Sequence, residues 1–150
     1  MERIGYEDIP QEIFEHLRAL EGLLSRSGID KRLLELVKMR VSQLNACAYC
    51  LDMHYKELKH SGESDLRISL LPAWEESPQF SEKERAVLAY AEKLTLLSNK
   101  ALSESVFSAI RQHFSLTEVA YLSLAITQIN TWNRLMKAFK FEPGHYKIPA

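Results

Sequence analysis

Residues 40–64, RVSQLNACAYCLDMHYKELKHSGES, hold both cysteines of the chain, Cys47 and Cys50, with His54 four positions on. Nothing in the stretch alternates with period two, so it reads as helix rather than strand. Lys59 and His60 suit the negative end of a helix dipole, and Gly62 suits a left-handed stop. At about 100° per residue, Cys50 falls about −60° and His54 about −20° from Cys47, one narrow arc. The two cysteine Cα atoms are then about 5 to 5.5 Å apart, within disulfide range. A helix start nearby favours thiolate, and a base one turn away completes a pair able to cycle between dithiol and disulfide.

Outward from this stretch the chain is punctuated as helices throughout. One is expected from Pro10 to Leu24, broken by SGID. Asp30 caps a second, to about Asn45. Ser64 or Asp65 begins a brief helix that ends near Pro72. After the loop PAWEESPQF, Ser81 and Glu84 form a capping box for a helix to about Ser98. Ser103 opens another to about Phe114, and Ser115 with Glu118 makes a second capping box for the last, to about Phe141. The expected fold class is all-α, a bundle of about six to seven helices in one domain over residues 1–150.

With 150 residues, 46% hydrophobic, the chain can bury a core without staples. Its 19 basic and 20 acidic residues leave a net charge of −1, no field for nucleic acid or anionic lipid. Neither nucleic acid nor membrane is expected as a partner: no apolar run nears the ~18 residues of a membrane span. The opening MERIGYEDIPQE lacks a signal peptide's apolar core, and two cysteines do not make a secreted disulfide framework. The expected location is the cytoplasm.

Other chemistries fit the cysteines less well. Cys47, Cys50 and His54 supply three zinc ligands of four, and His60 lies too far round the helix to be the fourth. Leu51 stands where haem attachment needs a histidine, and a thioredoxin-like fold needs strands. No metal or other cofactor is expected.

The stretch resembles the core of the alkylhydroperoxidase AhpD-like proteins, in the carboxymuconolactone decarboxylase superfamily. The shared pattern is Glu, eleven residues, C-x-x-C, three residues, His, here Glu35, Cys47, Cys50 and His54. The core of the resemblance covers roughly residues 12–98, and INTWNRL (129–135) is similar to the tail of single-core members. It implies a hydroperoxide reductase in which Cys50 attacks the peroxide, Cys47 resolves the sulfenic acid as a disulfide, and His54 and Glu35 relay protons. A thiol, lipoyl or thioredoxin-type dithiol would be the reductant, and the assembly a trimer or hexamer. A lactone decarboxylase on the same fold and a non-enzymatic redox sensor are the competing readings.

Several residues carry expectations of their own. Tyr49 stands where some members of the family have a second histidine. On the second helix, Glu35, Lys38, Ser42 and Asn45 form the only clear polar strip, which alone reads as solvated. The rest of that helix, like most of the last one, is apolar nearly all round, which favours burial by other subunits and a homo-oligomer. The helices over about 99–141 would serve packing and assembly, with Trp132, Asn133 and Arg134 as oligomer contacts. Arg40 lies on the apolar stripe and calls for a buried anionic partner.

Overall fold

The structure, a computed structural model, describes residues 2–97 and 102–149. Among these are seven α-helices and no strand: α1 Gln11–Ser25, α2 Lys31–Leu44, α3 Ala48–His60, α4 Asp65–Leu70, α5 Glu82–Thr95, α6 Glu104–Arg111 and α7 Leu116–Phe139. The caps follow the sequence closely. Asp30 accepts from Leu33 N–H, Ser64 from Arg67 N–H and Ser103 from Val106 N–H. Both capping boxes form, each Glu carboxylate returning to the N–H of its capping serine. Gly62 takes its left-handed turn at φ 87°. The ends of α5, α6 and α7 fall two or three residues earlier than the sequence suggests; Ser98 lies outside the described residues.

Among the described residues no helix is long and apolar enough to cross a membrane. α2 is the central element, packed against α3, α5 and α7. Its apolar residues divide between two clusters. Leu33, Leu34, Val37 and Val41 join α5, α6 and α7, whereas Leu36 and Met39 join α3, α4, α5 and Trp74. The apolar girth of α2 is therefore covered inside the chain, and the case for assembly drawn from it falls away. Arg40 finds its anion in Glu92 of α5 at 2.7 Å, which also accepts the Trp74 indole N–H at 2.7 Å.

A third cluster places the dithiol. Cys47 and Cys50 pack with Ile9, Phe14 and Met136, bordered by Tyr49, Trp132 and Phe141. The chain reaches it through a tight turn between α2 and α3, where Ala46 sits at φ 50°, a left-handed conformation that costs a non-glycine residue energy. Hydrogen bonds from α7 hold that turn. Asn45 donates to the side-chain oxygens of Asn130 and Asn133, both at 2.9 Å, and Lys137 donates to the Asn45 carbonyl at 2.8 Å. Asn133, fully buried, also donates to the Ser42 hydroxyl. INTWNRL thus turns largely inward: Asn133 is buried and Trp132 half-buried against the third cluster, so both support the site, while Thr131 and Arg134 are exposed.

Candidate active site

Cys47 is the N-cap of α3 rather than a member of its helical arc, with an extended backbone (φ −93°, ψ 97°). Its sulfur accepts the Cys50 N–H at 3.4 Å, and the two residues are joined as a disulfide with Cα atoms 5.3 Å apart, as the spacing predicts. Both are almost wholly buried, at 1% and 2% exposure. They sit in the first turn, where backbone N–H groups without helical partners favour a negative sulfur once the bond is reduced. Cys50 borders a cavity of about 530 Å³, whereas Cys47 lies behind it in the third cluster.

The cavity runs between α1, α2, α3 and α7 and is also lined by Tyr6, Phe141 and Tyr146. Its walls are chiefly apolar and aromatic. Tyr6, Phe14 and Trp132 form a stacked column, with successive ring centres 5.3 and 5.9 Å apart. On the other side Phe141 meets Tyr49 edge-on at 5.7 Å. Tyr49 is therefore a packing residue of the wall. The C-terminal segment is pinned to α3 by Gly144 N–H donating to Asp52 and by Tyr146 O–H donating to Glu57.

Glu35 and His54 meet in the same wall. His54 Nδ1 lies 2.7 Å from Glu35 Oε2, and the two residues are 4% and 6% exposed. The expectation of a solvated Glu35 is thus wrong. Its strip faces inward, because α3 and α7 pack on that side of α2 and α1 reaches it through Glu21, which accepts from Lys38. With Nδ1 held by the carboxylate, Nε2 is the ring nitrogen left for proton exchange with the cavity. Burial alone would raise the Glu35 carboxyl. The hydrogen bond and charge of His54, helped by Lys38, override it and bring it down to about 2. Glu35 is therefore an anion throughout the working pH range, able to stabilise an imidazolium.

No group of three or more His, Cys, Asp or Glu side chains among the described residues is placed to hold a metal ion. The geometry is that of a dithiol with a carboxylate-oriented imidazole on one apolar cavity. The pattern of the Carboxymuconolactone decarboxylase family matches residues 11–93. The chain belongs to this family. Its carboxymuconolactone decarboxylase core takes in α1 through nearly all of α5, and with them Glu35, Cys47, Cys50 and His54.

Relatives of this family member include the uncharacterized protein YdfG of Bacillus subtilis. It is 36% identical over 134 residues, 89% of this chain and 91% of that protein. A protein of unknown function from Agrobacterium tumefaciens, provisionally described as the antioxidant defence protein AhpD, is 37% identical. Its crystal structure superposes with a TM-score of 0.92, covering 97% of this chain and all of that one. The fold is thus AhpD-like. The apo debrominase Bmp8 shares the fold at 18% identity and a TM-score of 0.78, over 87% of this chain and 70% of its own.

Glu21, Lys38, Trp132 and Asn133 complete the surroundings of the dithiol, and the sequence did not single them out as functional. One signal pointed to Lys38. A polar strip this narrow, on a helix apolar elsewhere, marks a seam between buried helices more readily than a wet face.

Proposed function

We propose that this chain is a thiol-dependent hydroperoxide reductase that cycles Cys47 and Cys50 between dithiol and disulfide. The observation that carries the reading is that Cys50 borders the same cavity as the His54–Glu35 pair, with Cys47 bonded directly behind it. His54 accepts the Cys50 proton, and Glu35 stabilises the imidazolium that results. The Cys50 thiolate attacks the terminal oxygen of the hydroperoxide. The O–O bond breaks, the alkoxide takes the proton back and leaves as alcohol, and Cys50 becomes a sulfenic acid. Cys47 then displaces its hydroxyl as water and forms the disulfide. A dithiol reductant, of lipoyl or thioredoxin type, restores both thiols by exchange and leaves oxidised itself. The aromatic walls suit the organic part of an alkyl hydroperoxide, and the reducing cytoplasm suits the resting dithiol.

A trimer or hexamer is part of the proposal, following the family resemblance. Exposed Leu66 and Leu116 offer apolar surface for such contacts, and mass measurement at micromolar protein tests it. The test of function is direct. Reduced protein mixed with a panel of hydroperoxides should lose two thiols per alcohol formed, and turn over when a dithiol is supplied. Thiol loss without repeated turnover would instead support a redox sensor.

A further inference from the structure

Behind Glu35 the cavity wall contains a buried cation. Lys38, one turn along α2, has a side chain only 12% exposed. Its Nζ donates to Glu35 Oε1 at 3.2 Å and to Glu21 Oε2 of α1 at 2.9 Å. The second oxygen of Glu21 accepts the Trp132 indole N–H of α7 at 3.1 Å. A continuous string, Trp132–Glu21–Lys38–Glu35–His54, thus joins four helices, and every member borders the cavity that Cys50 borders.

Burying a lysine is expensive, and an apolar side chain would fill this space at no electrostatic cost. What only the cation supplies is a fixed positive charge beside the base. Burial would lower the Lys38 ammonium, but Glu35 and Glu21 raise it above an ordinary lysine, so it stays charged. With His54 neutral, the string carries two negative charges and one positive. Acceptance of the Cys50 proton brings it to neutrality.

We propose that Lys38 and Glu21 are positioning residues that set the net charge of the Glu35–His54 base, and so the pH range in which Cys50 is activated. The proposal rests on the reading of Cys50 as attacking thiol and His54 as its base. Removing Lys38 leaves the carboxylates of Glu35, against His54, and of partly exposed Glu21 without their shared cation, so the cluster binds a proton more tightly and the base is occupied up to higher pH. Removing the Glu21 charge does the reverse. The other titratable groups on the cavity are Arg18 of α1, Lys31 of α2, Tyr49 and Glu57 of α3, and Tyr6 and Tyr146 from the two ends. Lys31 pairs with Glu57 at 3.5 Å, and Arg18 donates to the Tyr6 hydroxyl at 3.2 Å. All are retained in every variant compared.

The experiment uses full-length reduced protein in a Cys47→Ser background, leaving one thiol. The iodoacetamide alkylation rate of Cys50 and its single-turnover reaction with tert-butyl hydroperoxide are each followed against pH. Lys38→Met should move the acid limb of both profiles up by about one unit or more, the size of effect of a charge within 4–6 Å. Glu21→Gln should move it down, and Lys38→Arg should leave it near the parent. Shifts in one common direction, or none, would overturn the proposal, since loosened packing has no sign. Should Lys38→Met not fold, Glu21→Gln keeps Lys38 in place and decides the matter by its downward shift alone. If the parent protein ignores the hydroperoxide while the alkylation limbs move oppositely, the peroxidase reading falls and the charge-setting role stands. If the parent reacts and the limbs do not move, the outcome is reversed.

Discussion

Two buried ion networks in this molecule are built alike and differ in what they touch. In one, Lys38 lies between Glu21 and Glu35, and Glu35 holds His54 at the dithiol cavity. In the other, Arg67 of α4 lies between Glu63 at 3.0 Å and Glu84 of α5 at 2.6 Å, with its guanidinium 4.8 Å above the Phe80 ring. Glu84 also closes the capping box of α5. Both Glu35 oxygens are hydrogen-bonded, whereas one Glu63 oxygen is buried without a partner among the described residues. The Arg67 network clamps a helix start to the turn before it. The Lys38 network holds His54 in the wall of the cavity that Cys50 borders. A buried cation between carboxylates is thus a construction element, and its chemistry comes from whichever reactive group borders it.

The sharpest separation comes from the thiol itself. Cys50→Ser should abolish hydroperoxide consumption while leaving the thermal stability of the reduced protein close to that of the parent. Cys47→Ser should retain one rapid turnover and trap a sulfenic acid, detectable with a dimedone probe. Phenotypes exchanged between the two would reverse the assigned roles.

Next in size, His54→Phe should slow Cys50 oxidation by about 10²–10⁴-fold, the usual worth of general-base assistance, with the fold intact. Part of the loss should return at high pH, where a thiol with a pKa near 8.5 ionises unaided. Glu35→Gln should be milder, because it leaves the imidazole in place. A His54→Phe protein with an unchanged thiol pH profile would reduce His54 to a core residue.

Arg67→Met should have the opposite signature. It strands buried Glu63 and should cost about 2–3 kcal/mol of unfolding free energy by denaturant titration, below the ~3–5 of a fully buried pair because Arg67 keeps some solvent contact. Activity per folded molecule should not change. A loss of turnover in the folded Arg67→Met protein would erase the contrast between the two networks.

Acid titration separates their contributions, which share one sign. The Glu35 carboxyl lies at about 2 when folded, against 4.5 for an ordinary glutamate, so its contribution to stability is complete above about pH 4.5 and is lost as pH falls toward 2. Glu84 is lowered too. Burial opposes the shift, and Arg67 with the Ser81 N–H more than offsets it. Glu35→Gln should therefore flatten the acid limb of stability measured by denaturant midpoints from pH 2 to 6, and should leave the Glu84 part. The smallest effect is expected from Tyr49→Phe. Its ring packs against Phe141, so rate and pH profile should stay within about twofold of the parent.

The sequence by itself determined the helices, their caps and the dithiol. These are local: a capping serine and the glutamate three residues on need no distant partner, and the Cα separation of Cys47 and Cys50 follows from the turn that carries them. The spacing of Glu35, Cys47, Cys50 and His54 was legible as a pattern of the family. Which face of α2 is wet was not. The interval Glu35–Lys38 is an ordinary helical surface spacing, and a helical wheel treats it as a solvated pair. Only the packing of α1, α3 and α7 around α2 decided that Glu35, Lys38, Ser42 and Asn45 form an interior seam. The same packing turned Trp132 and Asn133 toward the dithiol, and the packing of α5 on α2 gave Arg40 its partner in Glu92. A side chain's environment is set by which helices lie over it, and such contacts join residues far apart in the chain, where local periodicity carries no information.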